Sequence, residues 1–287
     1  MIQGAMTAMI TPFRAGAIDF ERLRRNVAFQ IEQGIDGLVP VGTTGESPTL
    51  SHEEHRQVVE HVVTAAAAMV PVVAGTGSNA TTEALELTEH AKSIGADAAL
   101  SVNPYYNKPT QEGLYRHFMA VAEVGLPVVL YNIPGRTAVS LAPQTIARLA
   151  KHPNIIAIKE ATGDMDTASQ IAASCDLTIL SGDDSLTLPL MAIGAAGVIS
   201  VLSNLMPARV KSLTAAAAAG DFTTARRLHL ELLPLFKAIF IETNPIPIKE
   251  AMKLAGTDTG ELRLPMCEMA EENRAALEEV LRRHEAI

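Results

Sequence analysis

Cysteine is nearly missing from this chain: only Cys175 and Cys267 occur, far apart and outside any C-x-x-C pair. That scarcity excludes a disulfide framework and a cysteine-built zinc site, and it points to a reducing cytoplasm. Positive charge is also short. Lysine and arginine total 23 against 32 aspartates and glutamates, a formal net charge of -9. Nucleic acids and anionic membranes need clustered cations, so neither is expected as a bulk partner, while a local basic pocket for a small anion stays open. No long apolar run is present. The most apolar stretch, Ala65 to Ala74, is broken by Pro71 and falls short of the roughly 20 residues that a membrane span requires. The first residues, Met1 to Met6, show no basic segment followed by an apolar one, so no signal peptide is expected.

What is present is material for a large core: 287 residues, 48% hydrophobic and 19% charged. Short apolar or β-branched runs recur near Ala5–Ile10, Gly37–Val41, Val70–Ala74, Ala98–Val102, Val128–Tyr131, Ile155–Lys159, Thr178–Ser181 and Gly197–Val201. They are nearly continuous in apolar residues, as strands of a parallel sheet buried on both faces should be. Between them, segments such as Asp19–Gln33, Ser51–Ala67, Thr81–Ser93 and Gln111–Val124 carry apolar residues at helical spacing, with Ser51 and Gly95 as start and stop signals. Eight such alternations predict a (β/α)8 TIM barrel over residues 1–220, with a doubly wound open sheet as the alternative. From 221 to 287 the strand signal stops, which predicts a C-terminal helical extension. The Ala215–Ala219 run reads as a helix face, and Arg226–Arg227 and Glu268–Glu272 read as solvated helix faces.

Barrel chemistry sits at the C-terminal ends of strands, which makes the lysines informative. Of eight lysines, Lys92, Lys108, Lys151, Lys211, Lys237, Lys249 and Lys253 fall in helices, at helix ends or in loops, where a surface amine is the default. Only Lys159 ends a buried strand, in Ile155-Ile156-Ala157-Ile158-Lys159-Glu160. Desolvation of an amine there favours its neutral, nucleophilic form. The competing reading is an inward lysine paired with a buried carboxylate such as Glu160. Three other strand ends carry polar turns: Gly42-Thr43-Thr44-Gly45-Glu46, Gly75-Thr76-Gly77-Ser78-Asn79 and Tyr131-Asn132-Ile133-Pro134-Gly135-Arg136-Thr137. Glycines let backbone approach a ligand, a tyrosine can relay protons, and an arginine can clamp a carboxylate. Two motifs point elsewhere and fail. Gly75-x-Gly77-x-x-Ala80 mimics a dinucleotide fingerprint, but its acid, Asp97, precedes the next strand instead of ending it. His52 and His55 share a helix face but lack a third zinc ligand.

Taken with Pro104-Tyr105-Tyr106-Asn107, Ser181-Gly182-Asp183-Asp184 and Asn244-Pro245-Ile246-Pro247-Ile248-Lys249, these segments resemble the 4-hydroxy-tetrahydrodipicolinate synthase (dihydrodipicolinate synthase) family across essentially the whole chain. The resemblance implies a homotetrameric, pyruvate-dependent class I lyase that needs no cofactor and no metal. It condenses pyruvate with L-aspartate-4-semialdehyde in lysine and diaminopimelate biosynthesis. It further implies that Lys159 forms an imine with pyruvate, that Tyr131 relays protons, and that Thr43 links Tyr131 to Tyr106 of a neighbouring subunit. Thr44 and the Ile199 backbone match positions that hold the pyruvate carboxylate. Arg136 matches the group that binds the semialdehyde carboxylate, and Gly182 lines the same mouth. Ser47, His52, His55, Asn79, Glu83 and Tyr105 match a feedback site for L-lysine, which would act as an allosteric inhibitor. Pro48 and Glu250 depart from the family pattern. The rival reading is a related lyase, such as N-acetylneuraminate lyase or a keto-deoxy sugar-acid aldolase. Arg136 favours the synthase, because a sugar-acid lyase needs a polyol pocket there. A non-catalytic binding barrel is the alternative from another class.

Overall fold

A computed structural model describes residues 2–287. Eight parallel strands form one sheet: β1 (Gly4–Ala8), β2 (Gly37–Val39), β3 (Val73–Gly75), β4 (Ala98–Val102), β5 (Val128–Asn132), β6 (Ile155–Glu160), β7 (Thr178–Ser181) and β8 (Gly197–Ser200). Their spatial order is β2-β1-β8-β7-β6-β5-β4-β3. A parallel bridge between Leu38 and Val72 joins the two edges, so the sheet closes on itself. The molecule is therefore a (β/α)8 barrel, and the open-sheet alternative falls. Closure removes exposed strand edges, which explains how strands of three residues persist.

The helices are α1 (Phe20–Glu32), α2 (His52–Ala66), α3 (Thr81–Ser93), α4 (Gln111–Glu123), a single turn α5 (Pro134–Thr137), α6 (Pro143–Leu149), α7 (Met165–Ser174), α8 (Thr187–Ala192) and α9 (Pro207–Ala218). Three more follow: α10 (Phe222–Ala238), α11 (Ile246–Leu254) and α12 (Glu271–Arg283). No helix among the described residues is long and apolar enough to cross a membrane. Start signals work as read: the Ser51 side chain accepts from Glu54 N while the Glu54 side chain reaches back to Ser51 N, a full capping box. Gly95, at φ +83°, turns the chain out of α3 as the stop signal required.

Two apolar clusters form. One fills the barrel and includes Met6, Ala8, Val39, Val73, Leu100, Val129, Tyr131, Ala157, Leu180 and Ile199. The other lies between strands and helices and runs on into α10–α12 through Leu228, Leu232, Phe236, Ile248 and Leu277. The expected strand at Val70–Ala74 begins later, at Val73, because Pro71 has no N–H to give the ladder. A two-residue hairpin, Phe13–Arg14 with Ala17–Ile18, was not legible as a strand pair. Lys249 also needs correcting. Its helix position suggested a surface amine, yet it is fully buried.

Candidate active site

Period-two alternation along β6 turns Ala157 and Lys159 inward and Ile158 and Glu160 outward. Lys159 pairs in register with Tyr131 on β5 and with Leu180 on β7. Its Nζ lies 4.4 Å from the centroid of the Tyr131 ring, and the residue is only 5% exposed. Glu160 faces the other way. It accepts from Thr162 N at 2.6 Å and Asn132 Nδ2 at 3.4 Å, and burial pushes its carboxyl up. The suggested Lys159–Glu160 ion pair is therefore not formed. Gly182, just past β7, leaves room for the lysine stem. A Cβ there would lie 3.2 Å from Lys159 Cε and 2.5 Å from Ala161 Cβ. Ile199 sits fully buried on β8, and the backbone that follows is anchored by Asp184. That carboxylate accepts from Val201 N at 2.8 Å, from Leu202 N at 3.4 Å and from the Ser200 hydroxyl.

The turn after β2 brings Thr43 and Thr44 to the same end of the barrel. Thr44 Oγ1 accepts from Asn244 Nδ2 at 3.0 Å. The Asn244 carbonyl in turn accepts from Arg136 Nη2 at 3.0 Å. Arg136 is carried by α5, and the segment that leaves α5 is tied back to the end of β5 by Asn132 Oδ1 accepting from Leu141 N at 3.0 Å. The motif Asn244-Pro245-Ile246-Pro247-Ile248-Lys249 gives no sign that Asn244 bridges Thr44 and Arg136. Two hundred residues separate it from Thr44, so no spacing rule could have found the contact.

Two cavities open at this end. One, of about 180 Å³, is lined by Thr43 and Tyr131 together with Ser47, His52, His55, Glu83 and Tyr105. The other, of about 640 Å³, is lined by Thr43, Tyr105, Tyr106, Arg136 and Asn244 among others. Thr43 is common to both. Tyr106 projects from a left-handed backbone at φ +73° and is 90% exposed, so within one chain it does not close over Tyr131. Asn79 stands apart from the smaller cavity's lining, with its carbonyl accepting from Asn107 Nδ2 at 2.8 Å.

In that smaller cavity His52 Nε2 meets Glu83 at 2.5 Å, and the Ser78 hydroxyl also donates to Glu83. His55 Nε2 lies 2.8 Å from Gly75 O, so that nitrogen carries the proton and Nδ1 is left as a buried acceptor with no partner among the described residues. Burial lowers His55 to about 4, which keeps it neutral near pH 7.

The family model described as the dihydrodipicolinate synthetase family matches residues 1–284. The chain belongs to that family. A relative from Citrifermentans bemidjiense named 4-hydroxy-tetrahydrodipicolinate synthase is 54% identical, with both chains covered in full. The dihydrodipicolinate synthase crystal structure from Aquifex aeolicus superposes with a TM-score of 0.98 at 51% identity, covering 99% of each chain. A structure of the Cyanidioschyzon merolae enzyme with lysine bound gives a TM-score of 0.96 at 36% identity, again covering 99% of each. Against this dihydrodipicolinate synthetase background, the two unusual residues have local explanations. Pro48 sits in the first turn of a short 3-10 helix, Ser47–Thr49, where its missing N–H costs nothing. Glu250 is buried and ties α11 to α12 by accepting from Arg274 Nε at 2.9 Å.

Proposed function

We propose that this chain is a 4-hydroxy-tetrahydrodipicolinate synthase that condenses pyruvate with L-aspartate-4-semialdehyde. The observation that carries the reading is Lys159 itself: a buried lysine ending a barrel strand, with no carboxylate ion-paired to it among the described residues and the Tyr131 ring 4.4 Å from its nitrogen. Full-length likeness to relatives of that name supports the rest.

In this reading the Lys159 amine attacks the ketone carbon of pyruvate and water leaves, giving a cationic imine that serves as an electron sink. Loss of a methyl proton gives an enamine, whose carbon attacks the aldehyde of the second substrate. The amino group of that substrate then adds to the imine carbon and Lys159 is expelled, closing the ring. Tyr131 is assigned the proton traffic, relayed through Thr43 to Tyr106 of the partner subunit. Thr44 and the Ile199 backbone take the pyruvate carboxylate, and Arg136 takes that of the semialdehyde. The exposure of Tyr106 suits a group that completes a neighbour's site, and a homotetramer built as a dimer of dimers supplies that neighbour. With two free cysteines, a cytoplasmic setting is the natural one.

The same reading includes feedback by L-lysine. Ser47, His52, His55, Glu83 and Tyr105 share one cavity, and a relative has been solved with lysine bound. Glu83 suits the α-amino group, while the unpartnered His55 Nδ1 can accept from the ε-ammonium. Asn79 and Tyr105 are assigned the lysine carboxylate. The Thr43 and Tyr131 side chains line that cavity too, so an occupant can bear on the proton relay without entering the pyruvate site.

A substrate panel tests the reading. Pyruvate consumption should be fast with aspartate semialdehyde and negligible with N-acetylmannosamine or glyceraldehyde. Preference for either sugar would transfer the assignment to a sugar-acid lyase.

A further inference from the structure

The turn that presents Thr43 and Thr44 is bounded by two non-glycine residues in left-handed backbone, Val41 at φ +50° and Glu46 at φ +53°. Such conformations are disfavoured and persist only where surrounding contacts impose them. At the Glu46 end the contacts converge on one ammonium. Lys249 Nζ lies 2.6 Å from Glu46 Oε1 and donates to Thr11 O at 2.9 Å. Its remaining side faces the Phe13 ring, 4.3 Å from the centroid. Thr11 returns the link by donating its hydroxyl to Gly45 O at 2.7 Å. Glu46 Oε2 accepts from Arg263 N at 3.2 Å. Both charged side chains are sealed from water, with exposures of 0% and 1%.

A buried ion pair is not the cheapest way to hold a fold together, since well-packed apolar side chains of similar size are often as stable. What the pair offers is direction: carboxylate and ammonium fix the turn's position and its φ. Lys249 lies on α11, and the segment leading into α11 carries Asn244, which contacts both Thr44 and Arg136. We propose that Lys249 is a positioning residue which, through Glu46, holds the Gly42–Glu46 turn so that the Thr44 hydroxyl meets the keto acid and the Thr43 hydroxyl stays beside Tyr131 in the proton relay. The proposal rests on the assignment of those hydroxyls given above.

The test compares two paired variants of the full-length enzyme, Glu46→Met with Lys249→Met and Glu46→Gly with Lys249→Met. Both remove the charges together, so neither leaves a lone buried ion. Thermal unfolding is measured beside borohydride trapping across a pyruvate titration, which reads the keto-acid site without the second substrate. The methionine pair should keep most of its thermal stability but need at least about tenfold more pyruvate for half-maximal trapping, the scale of one charge-assisted hydrogen bond. The glycine pair, free to adopt φ > 0, should recover much of that loss. Pyruvate saturation like wild type in the methionine pair would overturn the proposal, as would a glycine pair no better than the methionine pair. Should the methionine pair not fold, Glu46→Gln with Lys249→Met replaces it, again without a lone buried ion: a severalfold rise in half-saturating pyruvate is expected, and unchanged saturation refutes the role. Failure of wild type to trap pyruvate at all would instead count against the synthase reading.

Discussion

Replacing Gly182 by alanine should damage catalysis more than stability. The added Cβ would lie 2.5 Å from Ala161 Cβ, 3.0 Å from Glu160 O and 3.2 Å from Lys159 Cε. Neither Ala161 Cβ nor the Glu160 carbonyl sits on a flexible side chain, and Gly182 N is itself tied to Glu160 O at 2.7 Å. Relief must therefore come from a shift of the β7 end or of the lysine stem. Overpacking of this size costs about 1–3 kcal/mol of stability. For a chain of this length that corresponds to a fall of roughly 2–5 °C in Tm. A displacement of the nucleophile near 1 Å costs about a hundredfold in rate. The assay pairs Tm with kcat/KM and with the rate of borohydride trapping by pyruvate. Both rates should drop by roughly the same factor of about 100 if the lysine has moved, because imine formation precedes everything else. Wild-type trapping in a folded Gly182→Ala protein would refute the argument that this glycine makes room for Lys159.

Three further outcomes are expected. Arg136→Ala should leave pyruvate trapping intact and cost roughly 2–5 kcal/mol in kcat/KM for the semialdehyde, as loss of a charged clamp does; equal loss toward both substrates in the kinetic assay would mark it as structural. L-lysine should inhibit initial rates partially at millimolar concentration in wild type and far less in Glu83→Gln, and a flat titration of wild type would remove the regulatory site. Glu54 is held at about 2, against an ordinary 4.5, chiefly by its hydrogen bond to Arg263. Its stabilisation is full above the ordinary value and lost as pH falls through about 2, so Glu54→Gln should flatten stability between about pH 5 and 2 by about 1–2 kcal/mol, read by denaturant unfolding at each pH.

The barrel was legible because strands buried on both faces must read as apolar runs, and the runs at Ala98–Val102 and Ile155–Lys159 appear in the structure nearly as delimited. Lys159 stood out for the same reason: a charge ending an apolar strand has few roles. Lys249 was misread because its burial depends on Glu46, Thr11 and Phe13, which come from segments some two hundred residues away. Nothing in the spacing of Ile246–Leu254 signals them. Asn244 was obscured likewise, since its contacts with Thr44 and Arg136 arise only when α11 docks on the barrel mouth. Of the six residues matched to a lysine site, five line one cavity, while the placement of Asn79 depends on a loop contact with Asn107 that sequence does not encode.

The central claim is that one amine, that of Lys159, carries the chemistry. Incubating wild-type protein and Lys159→Ala with pyruvate and borohydride, then mapping the modified peptide by mass, tests it most directly. A single reduced pyruvate adduct on Lys159 in wild type, absent from Lys159→Ala together with a loss of turnover of at least about a thousandfold, is the predicted result. An adduct on another lysine, or none in active wild-type protein, would contradict it.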